Sequence, residues 1–185
     1  MFDPKDIVVS KLDAARRQLR VAIDLWFTEG DPVAIHTLAL ASHEILHRLY
    51  RLKGLDDLVF DSTLIKPEYK KAYAHFLRDD SNFFKHAEKD GSDAAASITF
   101  NTASNDMYLV MSVAALQRIG EPLGDQEAAL HYWLQCVKPH LFTEDPTQKP
   151  VPVEVAVQVR QMSRVEFFRD FMKGRWLRRN QSGAT

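Results

Sequence analysis

Of the seven histidines in this 185-residue chain, two stand at a spacing that can do chemistry. His43-Glu44-Ile45-Leu46-His47 sets two imidazoles four residues apart with a carboxylate between them. On a helix that spacing brings both rings to one side, one turn apart, within reach of a single Zn²⁺, while the glutamate polarises a bound water. The chemistry would be metal-dependent hydrolysis, with His43 and His47 as metal ligands and Glu44 as the catalytic base. His36 extends the row by two turns, so that His36, His43, His47 and Tyr50 share a helical face. A third ligand would have to come from Glu68, His75, His86 or Glu88.

The surrounding sequence argues against a protease. The extended zinc-protease pattern continues with Gly at position 50 and His at position 53, and this chain has Tyr50 and Lys53. Only 42 residues precede the motif, and none of them forms the strand pattern of a substrate-binding sheet. The bland alternative is two surface or interface histidines on an amphipathic helix. The expectation is no cofactor, with zinc at His43 and His47 as the alternative.

A second constellation runs from Asn82 to Asp90, NFFKHAEKD. Asn82, Lys85, His86 and Lys89 interleave with Phe83, Phe84 and Ala87 at helical spacing, which makes the four polar residues a candidate binding set and His86 a candidate catalytic group. The structural alternative packs Phe83 and Phe84 in the core, keeps His86 at its edge and leaves Lys85, Glu88 and Lys89 in water.

The segment resembles a family of uncharacterised bacterial all-helical proteins that carry N-F-F-K-H-A-[DE]-[KR]-D after a similar helical hairpin; this implies a shared fold and brings no activity. More distantly, it is similar to the R-N-x-x-x-H helix of the HEPN superfamily, compact helical bundles that include dimeric RNases. In those RNases an Arg and a His from each protomer meet at the dimer interface around the scissile phosphate. Asn82 and His86 match the Asn and His positions, whereas the Arg position holds Ser81, and Arg78 is separated from His86 by seven residues. Without a guanidinium at that place the bidentate phosphate contact is lost. The resemblance, over about residues 11–100, therefore implies a self-associating bundle that is non-catalytic or weakly so, binding a partner protein or RNA.

Six helices are expected to position these residues. Pro4 to Phe27 carries Leu12, Ala15, Leu19, Ile23 and Trp26 on one stripe. The short link Thr28-Glu29-Gly30 folds it back on Asp31–Leu52, where Asp31 caps, Pro32 fits the first turn and Gly54 ends the helix. The buried stripe of that second helix reads as Ile35, Leu38, Ser42, Ile45, Leu49 and Leu52. Residues 55–66 read as a packed loop. Pro67 opens a third helix with Tyr69, Tyr73, Phe76 and Leu77 inward, which either breaks at Asp79-Asp80-Ser81 or runs through to Lys89.

Ser97–Phe100 is strand-like but too short to make a sheet. Ser104 caps a strongly apolar helix to Ile119, expected at the centre of the bundle, and Asp125 caps the next, which Pro139 stops. The stretch Thr143–Pro152, with its three prolines, reads as an exposed loop. A last helix from Val153 to Leu177 turns Val155, Val159, Met162, Val165, Phe168, Met172 and Trp176 inward.

The fold class expected is all-α, an antiparallel bundle of five to six helices with no significant sheet, forming a single domain over residues 1–179 with a disordered tail over 180–185. Its 45% hydrophobic and 26% charged residues suit a globular chain. A net charge of −1 speaks against whole-surface nucleic-acid binding. Charge is uneven: residues 93–159 hold 3 Lys/Arg and 8 Asp/Glu, residues 160–185 hold 7 and 2. That basic end alternates with Phe167, Phe168, Phe171 and Trp176, which suits either a solvated arginine side or a binding face.

Cys136, alone, permits no intrachain disulfide and reads as a small buried side chain. Residues 1–20 carry Asp3, Asp6 and Asp13 and no unbroken apolar core, and no run approaches the ~18 apolar residues of a membrane span. No signal peptide and no membrane contact are expected, and the location is cytoplasmic.

Overall fold

Ser10 and Asp13 decide where the first helix begins. The Ser10 hydroxyl accepts from the Asp13 amide at 3.0 Å while the Asp13 carboxylate accepts from Ser10, a reciprocal capping box. Helix α1 therefore spans Lys11–Phe27 rather than starting at Pro4. The computed structural model describes residues 6–55, 67–85, 95–141 and 150–182. Within these, the remaining helices are α2 (Pro32–Leu52), α3 (Pro67–Lys85), α4 (Ala103–Arg118), α5 (Asp125–Val137), α6 (Val153–Gln161) and α7 (Arg164–Ser182), with a 3-10 turn over Pro139–Leu141. The fold is all-α, and no strand occurs among the described residues; Ser97–Phe100 is irregular.

Three helices end in the same way. The amide two residues beyond the cap reaches back to the third carbonyl from the end: Gly30 to Leu25, Leu55 to Tyr50, Glu121 to Leu116. The residue between must adopt positive φ, and Gly54 (71°) and Gly120 (83°) do so after α2 and α4. After α1 that place falls to Glu29, at 57°. Gly30 is glycine for another reason, since a Cβ there would meet Leu25 Cδ2 at 2.9 Å.

Helix α2 packs against both α1 and α4, and α5 packs against α1, α6 and α7. The core joins Ala15, Leu19, Ile23 and Phe27 of α1 with Leu40 and Leu46 of α2, Leu109 and Leu116 of α4, and Leu130 and Trp133 of α5. Small residues let α1 and α2 approach: Ser42 Oγ donates to the Ala15 carbonyl at 2.8 Å, and Ala22 of α1 and Ala39 of α2 are buried too. Phe27 stacks on Phe168 (4.4 Å between centroids) and, with Trp133 and Tyr132, gathers Phe167 and Phe171 of α7.

Several sequence expectations are corrected. Asp31 caps α2 with Pro32 at its first position, as read, but α4 begins at Ala103, and Ser104 lies inside it, its hydroxyl donating to the Asn101 carbonyl. Gly124 caps α5, with Asp125 in the first turn. The final helix divides at Met162-Ser163, because Ser163 and Glu166 form a second reciprocal cap. The extra helix beyond the expected six comes from that division. Helix α7 runs to Ser182, so residues 180–182 are helical.

Helix α3 does not break at Asp79-Asp80-Ser81, and Tyr69, expected inward, is 61% exposed. The side chains of Tyr73, Phe76, Leu77 and Trp176 lie outside what is described, as do most of the expected loops at 55–66 and 143–152. No helix of the described residues is long and apolar enough to cross a membrane.

Candidate functional site

Helix α2 is buried against both α1 and α4, and its histidine row lies within the buried surface. His36 is 1% exposed, His43 0% and Tyr50 1%, whereas Leu52 of the expected stripe is 69% exposed and Leu38, Ile45 and Leu49 are half-buried. The reason lies on α4, which offers polar partners at matching intervals. His36 Nδ1 lies 2.9 Å from Asn105 Oδ1, and His43 Nδ1 lies 3.3 Å from Ser112 Oγ. Each pair is 69 residues apart in sequence, so α2 and α4 run parallel and in register, as alternate helices of an up-and-down bundle do. Tyr108 fills the space between, its ring 5.5 Å from that of His36 and 5.6 Å from that of His43. Ile35 and Ser42 of the expected stripe are buried as read, so hydrophobicity finds part of the buried surface; the histidines join it because α4 supplies hydrogen bonds for them.

Asn105 fixes the state of His36. Its amide Nδ2 donates to the Pro32 carbonyl at 3.0 Å, which turns Oδ1 toward the ring and makes Nδ1 the protonated nitrogen. Ser104 Oγ stands 3.4 Å from the same nitrogen. Nε2 then carries the lone pair, and it is buried with no hydrogen-bond partner. Burial holds the His36 pKa below the ordinary histidine value; Asn105 and the Asp80 charge act in the opposite sense, and Lys85 adds to the lowering.

The two sequence constellations meet at this ring. Phe84 of the Asn82–Lys85 segment lies edge-on to His36 at 5.8 Å, and Phe100 lies beside Phe84, also edge-on to His36, at 4.9 Å. Asn82, Phe83 and Phe84 are half-buried and Lys85 is exposed. His86 and Lys89 lie outside the described residues.

The H-E-x-x-H pair has the ring spacing of its motif, with His43 and His47 centroids 6.4 Å apart and 29° from parallel. Glu44 and His47 are half-buried. His43, however, is sealed inside the bundle with Nδ1 directed at Ser112. Among the described residues no group of three His, Cys, Asp or Glu side chains is placed to hold a metal ion. Of the third-ligand candidates, Glu68 is exposed; the His75 side chain, His86 and Glu88 lie outside what is described.

Sequence reasoning missed Asn105 and Ser112, since isolated polar residues on an apolar helix carry no motif. Their seven-residue spacing, equal to that of His36 and His43, is the signal that was available. It also missed Glu127, which is fully buried and accepts from Arg20 Nε at 3.1 Å across α1 and α5. Gly124 leaves room for that pair: a Cβ would sit 2.5 Å from Glu127 Oε2 and 2.8 Å from Arg20 Nη2. Trp26 Nε1 donates to Asp106 Oδ1 at 2.7 Å, a further tie between α1 and α4. In α7 the aromatic side is packed inward, with Phe167 buried, while Arg169 and Lys173 are exposed. Arg164 lies over the Trp26 ring at 4.5 Å.

Comparison with protein-family models, with curated proteins and with solved structures found no match to this chain.

Proposed function

We propose that this chain is a cytoplasmic, non-enzymatic helical module, HEPN-like in character, that self-associates and binds a partner protein. The reading rests on one observation: His43, which the metal-dependent alternative requires as a ligand, meets Ser112 inside the bundle, as His36 meets Asn105. A catalytic group must meet its substrate, and these two have no exposed surface to do so. Protein is favoured over RNA as the partner, because the net charge is −1 and α6 turns Val153 (76% exposed) and Val157 (45% exposed) outward one turn apart.

The second reading, a metal-dependent hydrolase using His43, Glu44 and His47, draws on the near-parallel pair of rings. It needs a third ligand and a channel to His43. Mass measurement in solution, joined to RNA-binding and RNA-cleavage assays of the wild type and His86→Ala, tests the first reading. A dimer with no RNase activity supports it; a strict monomer, or cleavage abolished by His86→Ala, contradicts it.

A further inference from the structure

We propose that His36 is a proton-operated latch that seats the C-terminal end of α3 and the Phe100 segment on α2, and releases them on acidification. The device is a cluster from three parts of the chain: His36 on α2, Asn105 and Tyr108 on α4, and the two rings Phe84 and Phe100.

Each atom of the cluster has one role. Asn105 Oδ1 accepts from Nδ1 and its Nδ2 donates to the Pro32 carbonyl, so the amide serves Nδ1 and not Nε2. Nε2 is buried without a hydrogen-bond partner. Protonation there creates a second N–H and a full positive charge in an enclosure of aromatic rings with no acceptor. The inner wall, Tyr108, is 1% exposed, whereas Phe84 and Phe100 are half-buried and touch each other edge-on at 5.2 Å. Relief therefore comes by parting Phe84 and Phe100, which lets water reach Nε2 while α2 and α4 stay together.

The charges around the ring do not compensate. From α3, Asp80 favours the cation and Lys85 opposes it. On α4, Asp106 is held by Trp26 and Lys138, and Ser104 and Asn105 already meet Nδ1. Residues 95–100 carry no charge, and the next titratable group along this face of α2 is His43, directed at Ser112. The closed form thus refuses a proton that the opened form accepts near the ordinary value of 6.5. One pH unit below that value, linkage multiplies the opened population by up to about tenfold.

The test is amide hydrogen exchange on the full chain at pH 7.5 and 5.5, with rates corrected for the intrinsic effect of pH. Peptides from residues 67–85 and 95–101 should gain exchange, by no more than about tenfold, with α1 and α5 unchanged. His36→Gln and His36→Leu remove the proton site and should abolish the gain, while His131→Gln, at another histidine whose pKa burial lowers, should retain it. An equal gain in α1 and α5 of the wild type, or a gain that persists in either His36 variant, overturns the proposal.

Discussion

At the scale of single residues, the lesson is that partners decide what a side chain is for. Asn105 serves two neighbours at once, His36 and the Pro32 carbonyl. Asn105→Leu leaves a buried N–H and a carbonyl without it, and an unsatisfied buried group costs about 1–3 kcal/mol. Chemical denaturation should show a loss of at least that size, with no change in helix content by circular dichroism. Gly124→Ala forces a methyl group into the Arg20–Glu127 pair and should cost about 1–3 kcal/mol by overpacking. Glu127→Gln keeps the shape and loses the charge, so it should cost less than the glycine change in the same assay. Cys136 is fully buried, and burial raises its thiol above the ordinary value, against a smaller lowering by Arg160. A thiol reagent should therefore label it only after unfolding.

At the scale of elements, the helices were legible where a local rule set their limits. Asp31-Pro32 at the start of α2 and Gly54 beyond its end are backbone signals that need no tertiary partner. The same grammar was present in Ser163-Arg164-Val165-Glu166, a Ser followed three residues later by Glu, but the apolar period through Val159, Met162 and Val165 masked it. On α2 the burial of Ile35 and Ser42 was legible, but that of the histidine row was not, because it depends on α4, some seventy residues away. The pairing of the NFF segment with the histidine row was hidden for the same reason.

Two changes probe the helix ends. Ser163→Ala removes the cap that separates α6 from α7 and should cost about 1 kcal/mol. Glu29→Gly relieves a left-handed residue at the end of α1 and should raise thermal stability, since the left-handed conformation costs a non-glycine residue about 1–2 kcal/mol, less the entropy glycine brings to the unfolded chain. The Arg164–Glu29 ion pair given up, at 3.9 Å and exposed, is worth little.

At the scale of the whole molecule, pH acts through His36 and His131. His36 and His131 both have pKa values lowered by burial. The unfolded chain then binds protons near 6.5 that the folded chain refuses, so their contribution to stability is complete above that pH and is lost as pH falls below it. Urea unfolding at pH 7.5 and 5.5 should show the decline, with His36 contributing at most about 1 kcal/mol over the first unit below 6.5. In His36→Gln that part of the decline should disappear.

The histidine row of α2 is a packing seam between α2 and α4. Zinc tests it most directly, on protein purified without a histidine tag. Metal analysis should find less than about a tenth of an equivalent bound, and added Zn²⁺ should leave the unfolding temperature where it was, because only a ligand of the folded state raises it. One equivalent of zinc retained through purification, with a rise in unfolding temperature that His47→Ala removes, would contradict the account.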